Sequence, residues 1–365
     1  MLNELTISEF DSHMMQRCIQ LAKRAEGRTS PNPLVGSVIV QNRTIVGEGY
    51  HPQAGKPHAE IYALQEAQEQ AKGATVYVNL EPCNHYGRTP PCSEALIAAG
   101  VSKVVVGMVD CDARVSGGGI KKLQQAGIEV VVGVEEAACR ELNEAFIQRI
   151  QQQKPLGILK YAMTLDGKIA ATTGHSAWVT GKASRQRVHQ LRSTCDAIVV
   201  GGNTVRKDNP LLTAHGISQH NPLRVVMSRS LDLPEDCQLW DVTIAPTVVF
   251  TLQDSNIPLQ QLLLTRKVQI VHLDPLTPQA VNQYLYQQGL SKILWECGGT
   301  LAAKAIADGT IQKVMAFIAP KIVGGQTAPS PVGDMGITQM TDALLLKKVT
   351  VQSSDCDILI EGYLQ

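Results

Sequence analysis

The chain has no excess charge of either sign: 33 Lys and Arg residues face 33 Asp and Glu over 365 residues. A nucleic-acid-binding surface leaves a basic footprint in composition, so a polyanionic partner is not expected, although a local phosphate pocket remains open. No apolar run approaches the roughly 18 residues that a membrane-spanning helix needs. The stretch from Met1 to Asp11 carries acidic residues where a secretory leader has basic and then apolar ones. No membrane association is expected, and the location is read as cytoplasmic. The fingerprint G-x-G-x-x-G is missing, which removes the sequence support for a Rossmann domain. Nine cysteines are an odd number without regular spacing, so no disulfide framework is expected. Cys18, Cys111, Cys139, Cys195, Cys237 and Cys356 are read as reduced thiols without a functional role.

What the chain does have is His58-Ala59-Glu60, followed by Pro82-Cys83 and then Cys92. One imidazole and two thiolates hold zinc while leaving a fourth tetrahedral position open, which marks a catalytic rather than a structural site. Zinc lowers the pKa of a water in that position towards neutrality. Glu60 is expected not to bind the metal but to move the water's proton to a departing amine. Scattered His and Cys residues are more often buried bystanders; here the local pattern argues otherwise. Pro57 and the apolar positions Ile61, Leu64 and Ala67 predict a helix that places His58 and Glu60 in its first turn. Residues 74–80 read as a strand and Ser93 to Gly100 as a glycine-terminated helix, so both cysteines fall around a strand-to-helix loop. The general deaminase spacing is Cys-x-x-Cys, whereas eight residues separate Cys83 from Cys92.

Two α/β halves are expected. The first reads as a helix from about Asp11 to Arg28, a hairpin from Val35 to Val40 and Thr44 to Glu48, the metal helix, and the strand, cysteine loop and helix just described. A strand from Lys103 to Val109, a helix from Ile120 to Gln125, a strand from Ile128 to Val132 and one long helix from Glu135 to about Gln151 follow. The polar run Gln151-Gln152-Gln153-Lys154-Pro155 is read as a linker, giving domains over 1–150 and 156–365. The second half opens with a strand from Leu156 to Ala162 and alternates strands and helices to the C-terminus. Ala197 to Thr204 and Lys292 to Leu301 each run from a buried strand through paired glycines into a helix. Such turns let a backbone approach a phosphate at a helix N-terminus, though alone they more often serve packing.

The insert from Pro82 to Cys92, with Asn84-His85-Tyr86-Gly87-Arg88-Thr89-Pro90-Pro91 between the cysteines, closely resembles the bifunctional riboflavin-biosynthesis deaminase/reductase family. So do Thr29 to Gly36, Tyr50-His51, Val115 to Ile120, Met163 to Ala170, Gly201 to Pro210 and Glu296 to Leu301, in the family's order over nearly the whole chain. The resemblance implies an α/β protein: an N-terminal cytidine-deaminase-like three-layer α/β/α sandwich, then a C-terminal dihydrofolate-reductase-like domain. It implies one zinc ion per chain, NADPH, a small phosphorylated pyrimidine substrate and a homo-oligomer. The first half would remove the 2-amino group of 2,5-diamino-6-(5-phosphoribosylamino)pyrimidin-4-one, and the second would reduce the ribosyl to a ribityl chain.

By the same resemblance His58, Cys83 and Cys92 are zinc ligands and Glu60 the proton shuttle, while Asn32, His51 and His85 contact the pyrimidine. Lys160, Ser176, Arg192, Asp208, Leu212 and Glu296 match substrate positions. Ala162, Trp178, Thr204, Asp208, Gly298, Gly299, Thr300, Leu301 and Ala302 match cofactor positions. Two departures stand out. His215 occupies the place of an arginine that would hold the substrate phosphate, which implies weaker binding in the second half. Ser228 stands where the family often has aspartate, and the neighbouring Arg229 is either a contact to the cofactor's extra phosphate or a solvated loop charge. Three other readings stay open: a nucleic-acid base deaminase, a deaminase with a weakened or inactive reductase half, and a zinc-stabilised interaction module.

Overall fold

The computed structural model describes residues 8–86, 90–113, 115–218 and 220–364. Gly87 to Thr89 of the cysteine loop and the first seven residues therefore lie outside the described residues. The chain divides into two compact units, Met1–Gln153 and Lys154–Gln365. Among the described residues, no helix is long and apolar enough to cross a membrane.

Unit 1 runs α1 (Glu9–Lys23), β1 (Gly36–Gln41), β2 (Thr44–Tyr50), α2 (Ala59–Ala67), β3 (Thr75–Leu80), α3 (Cys92–Ala98), β4 (Lys103–Met108), α4 (Gly118–Gln125), β5 (Glu129–Val132), α5 (Glu136–Leu142) and α6 (Glu144–Gln152). Its five-stranded sheet has the order β2-β1-β3-β4-β5, with β1 antiparallel to both neighbours and β3, β4 and β5 parallel. Glycines reveal the layering. A side chain at Gly36 would collide with the Cys18 carbonyl of α1, and one at Gly49 with the Ala59 carbonyl of α2. Gly49 pairs with Ser37, the neighbour of Gly36 on β1, so the two glycines face opposite sides of the sheet. Helices therefore cover both faces, giving the three layers expected.

Two helix readings are corrected. The first helix begins at Glu9, where Ser8 and Asp11 form a capping box, and ends at Lys23 rather than near Arg28; after it the backbone turns through three-residue hydrogen bonds towards Ser30-Pro31. The long helix expected from Glu135 to about Gln151 is two helices, broken at Asn143 (φ −100°, ψ 19°). The buried Asn143 amide accepts from the Leu34 N–H at 2.8 Å and donates to the Leu34 carbonyl at 3.0 Å. It thus takes the place of a paired strand for the segment leading into β1.

Unit 2 comprises β6 (Leu156–Thr164), α7 (Lys182–Ser193), β7 (Ala197–Gly201), α8 (Gly202–Asp208), β8 (Leu223–Met227), β9 (Thr247–Thr251), α9 (Ile257–Thr265), β10 (Gln269–His272), α10 (Pro278–Gln287), β11 (Lys292–Trp295), α11 (Gly299–Ala307), β12 (Lys313–Ala319), β13 (Leu346–Ser354) and β14 (Asp357–Leu364). Among the described residues its nine strands follow the order β10-β9-β8-β7-β11-β6-β12-β14-β13. The first seven in this order are parallel, and β14 and β13 add an antiparallel hairpin at one edge. The alternation of strand and helix expected to the C-terminus thus lapses between β8 and β9, where no α-helix intervenes, and ends at β12. Parallel strands buried on both faces read as apolar runs, as Ala197 to Val200 do. Because β7 and β11 are neighbours, the two strand-glycine-helix turns lie side by side at the C-terminal strand ends, where open α/β sheets bind ligands.

Candidate functional site

In unit 1, His58 immediately precedes α2 in an extended conformation, and its ring caps no helical N–H, which leaves Nδ1 free. Nδ1 lies 3.6 Å from Cys83 Sγ and 3.3 Å from Cys92 Sγ, and the three ligand atoms lie within 4.8 Å of one another. Tetrahedral zinc with ordinary Zn–N and Zn–S lengths requires nitrogen–sulfur edges of about 3.6 Å. The donor set and its spacing therefore fit zinc. The Cys92 thiol, together with the His58 ring, holds the Cys83 thiol well below its ordinary range, towards the thiolate that a metal takes. The Cys92 N–H also donates to Cys83 Sγ at 3.3 Å.

Glu60, the second residue of α2, is 3% exposed. Burial lifts its carboxyl to about 6 against the pull of the His58 ring. Its Oε2 has no hydrogen-bond partner among the described residues. A buried, unsatisfied carboxylate oxygen beside three metal donors suits a base that takes up a reacting water. The His51 ring meets the His58 ring edge to face at 5.5 Å. Its Nδ1 lies 3.0 Å from the Pro57 carbonyl and so carries the proton, leaving Nε2 to accept from the Asn32 amide at 3.0 Å. Asn32 and His51 are thereby joined to the metal donors, whereas His85 stands exposed on the loop.

Glu81 was not singled out by sequence reasoning. It is 3% exposed, and its carboxylate accepts from the N–H groups of Asp110 (3.2 Å), Gly117 (2.9 Å), Gly119 (3.0 Å) and Ile120 (3.3 Å). The glycine-rich turn before α4 is thus an anion nest filled from within, two residues before Cys83.

In unit 2, one cavity is lined by Lys160, Ser176, Arg192, Asp208, Leu212 and His215, and Glu296 joins them. Glu296 accepts from Arg192 Nε at 2.6 Å and Nη2 at 3.1 Å, and Lys160 Nζ lies 3.4 Å away. Burial raises the Glu296 carboxyl, but Arg192 and Lys160 outweigh it and hold the group at about 2. The His189 and His215 rings stack at 4.0 Å. Burial first, then His215 and Arg192, depress His189 to about 4, and burial and Arg192 lower His215 too. Both rings are therefore neutral near pH 7. An adjoining cavity is lined by Thr204, Arg229 and the turn Gly298, Gly299, Thr300 and Leu301.

A family model described as "RibD C-terminal domain" matches residues 155–360. Another, "Cytidine and deoxycytidylate deaminase zinc-binding region", matches residues 8–108. "Riboflavin biosynthesis protein RibD" of Synechocystis sp. is 60% identical to the chain, over 97% of it and 96% of that protein. This chain belongs to the RibD family. The RibD of Aquifex aeolicus is 41% identical over 97% of the chain and 98% of its own length. The chain covers 97% of itself but only 61% of the Arabidopsis thaliana relative "Riboflavin biosynthesis protein PYRR, chloroplastic", at 45% identity. The solved structure of Acinetobacter baumannii RibD (form 1) superposes with a TM-score of 0.87 at 37% identity, covering 98% of this chain and 99% of that one. The deaminase/reductase of Thermotoga maritima gives 0.88 at 34% identity, covering 98% and 99%.

Against this RibD framework, the other positions read from the sequence divide in three. Ser176, Thr204, Asp208 and Gly298 line both cavities of unit 2. Ala162 and Trp178 line the cavity of Arg192 and Glu296 rather than the one beside the glycine turn. Ala302 is fully buried and its N–H is bonded to the Gly298 carbonyl at 3.1 Å; it packs beneath the turn and lines neither cavity. Reading the sequence missed His189 and Arg185, which also line the cavity. His189 three and Arg185 seven residues before Arg192, on one helix face, were the available signal.

Proposed function

We propose that the chain performs two consecutive steps of riboflavin biosynthesis: deamination of 2,5-diamino-6-(5-phosphoribosylamino)pyrimidin-4-one in unit 1, then NADPH-dependent reduction of the ribosyl to the ribityl chain in unit 2. The observation that carries the first step is the His58, Cys83 and Cys92 donor set with the buried Glu60 beside it, whose Oε2 has no hydrogen-bond partner among the described residues. Zinc, when bound there by those three residues, supplies a Lewis acid that makes water acidic near pH 7. Glu60 accepts a proton from the attacking water and passes it to the amino group, which leaves as ammonia as a C–O bond replaces the C–N bond. Asn32 and His51 are proposed to hold the pyrimidine. For the second step NADPH, when bound along the glycine turn at Gly298 to Leu301, would supply hydride to C1 of the open sugar in its imine form, the C1=N double bond becoming single as the nitrogen takes a proton from solvent. Lys160 and Arg192, organised by Glu296, present fixed positive charge to the sugar.

The reading in which unit 2 is catalytically silent finds no support: its reductase family model spans residues 155–360. A cytoplasmic site of action and a homo-oligomer remain part of the proposal. Exposed Met340, Leu345 and Val351 around the edge strand β13 suit contact with a second copy, which sedimentation velocity reads directly. The deciding assay supplies zinc-loaded protein with the aminated substrate and NADPH. Substrate-dependent NADPH oxidation with ammonia release is expected; ammonia release alone would overturn the second half of the reading, and neither would overturn both.

Replacing His215 with arginine is expected to lower the reductase KM about tenfold, because a bidentate cation replaces a neutral ring opposite a phosphate. The wild type should also bind better at lower pH. A phosphate dianion raises the imidazole pKa values that burial depresses in the free chain, so bound substrate favours protonation and KM climbs as pH rises. His215→Arg should flatten that climb between pH 6 and 8. An unchanged KM with an unchanged slope would count against His215 as a phosphate contact.

A further inference from the structure

Helix α7 carries Arg185, Val188, His189 and Arg192 on the face that lines the unit 2 cavity. Its beginning is poorly provided for. Gly181 at the N-cap has no side chain to bond the free N–H groups, the first turn holds no acidic residue, and Lys182 and Arg185 place positive charge at the positive end of the helix dipole.

The missing acid arrives from the far end of the unit. Asp357, the first residue of β14, is 2% exposed. Its Oδ2 accepts from the Gly181 N–H at 2.8 Å and from the Ser184 hydroxyl at 2.6 Å. Ser184 is fully buried, and Ser354 Oγ lies 3.1 Å from the same hydroxyl. Gly181 and Ser184 are the N-cap and third residues of the helix, so Asp357 bonds the N-cap N–H as the acid of a capping box does, from a strand over 170 residues away in sequence. Leu359, two residues on and on the same face of β14, packs with Val188 and Phe317. Arg187 adds a bond from Nη2 to the Ser353 carbonyl at 3.2 Å.

We propose that Asp357 is a positioning residue of the reductase site, clamping α7 so that Arg185, His189 and Arg192 meet the substrate at the right depth. The inference rests on the reductase reading of unit 2. Of the cavity-lining residues of α7, Arg185 is the one next to Ser184, which bonds the clamp. Its guanidinium lies over the Trp178 ring, 4.6 Å from the centroid, and donates to the Thr180 carbonyl at 2.7 Å. Loosening the first turn therefore frees Trp178 as well as shifting the cavity face.

The test compares Asp357→Ala and Asp357→Asn with the wild type in the full zinc-loaded chain, using the already deaminated phosphoribosylaminouracil and NADPH. KM for that substrate is expected to rise about tenfold in the alanine variant and at least threefold in the isosteric asparagine one, with kcat within threefold, because small misplacements of binding groups cost binding steeply. Deamination by unit 1 is expected to stay unchanged. A purely structural role gives the other pattern, a smaller active fraction with lower apparent kcat and unchanged KM; that result overturns the proposal. If the alanine variant does not fold, the asparagine variant decides on the same criterion. A second reading needs no turnover: Trp178 is 69% exposed while Trp240 and Trp295 are 2% and 0%, so acrylamide quenching reports Trp178 and is expected to increase in both variants. A wild type without reductase activity would defeat the reading of unit 2, and unchanged quenching with unchanged KM would defeat the clamp.

Discussion

Glu60→Gln is expected to cut ammonia release about a thousandfold while zinc content stays at one per chain and reduction of the deaminated substrate is untouched. Glutamine matches glutamate in shape, so the packing around a residue only 3% exposed is kept. What disappears is the ability to take a proton, and a positioned general base contributes about a hundred to ten thousandfold. Metal should stay because the donor triangle of His58, Cys83 and Cys92 is complete without the carboxylate. The check is ammonia release and metal analysis on the same preparation, with NADPH oxidation as internal control. Loss of zinc along with activity would make Glu60 a ligand; deamination within tenfold of wild type would move the proton shuttle to another residue.

Glu296→Gln is expected to abolish reduction, by at least about a hundredfold, and to destabilise unit 2. The side chains of Lys160, Arg192 and Glu296 are 16%, 12% and 10% exposed, so neutralising Glu296 leaves two cations close together with little water between them. Removing one partner of a buried pair costs about 3–5 kcal/mol. The shift of Glu296 from 4.5 to about 2 gives a similar figure, about 3 kcal/mol. The sign follows from the depressed carboxyl. Its contribution is fully present above its unfolded value near 4.5 and is lost as pH falls towards 2. Urea unfolding should therefore show a gap of about 3 kcal/mol between variant and wild type at pH 7 that narrows steadily below pH 4.5. A gap that does not narrow would mean that shape rather than charge is what Glu296 provides. The rate loss is read separately, by NADPH oxidation with the deaminated substrate.

The metal site was legible because its parts are local. Pro57 and the apolar spacing after it announce α2, and each cysteine sits at the boundary of an element with clear periodicity. The glycine turns of unit 2 were legible for the same reason. What escaped depends on partners remote in sequence. Asn143 breaks a helix because Leu34, more than 100 residues earlier, offers its amide a better use. His189 is an unremarkable helical histidine until His215 lies on it. Glu81 and Asp357 give no periodic signal, since the first serves four backbone N–H groups remote in sequence and the second one N–H and one hydroxyl at the start of α7. The C-terminal hairpin was missed because β13 is exposed along most of its length, so burial imposes no alternation on it.

The nest that Glu81 fills bears on how the metal site is assembled. Four N–H groups hold the residue two before Cys83, the Cys92 N–H holds the Cys83 sulfur, and α2 and α3 pack into the core of unit 1 through Ala63 and Leu96. None of these restraints requires the ion. The part of the ordering entropy that these restraints represent is therefore lost when the chain folds, not when zinc arrives, which is the opposite of a zinc finger. Chelation should accordingly act as a reversible switch on deamination and leave the thermal unfolding of unit 1 shifted by mass action alone.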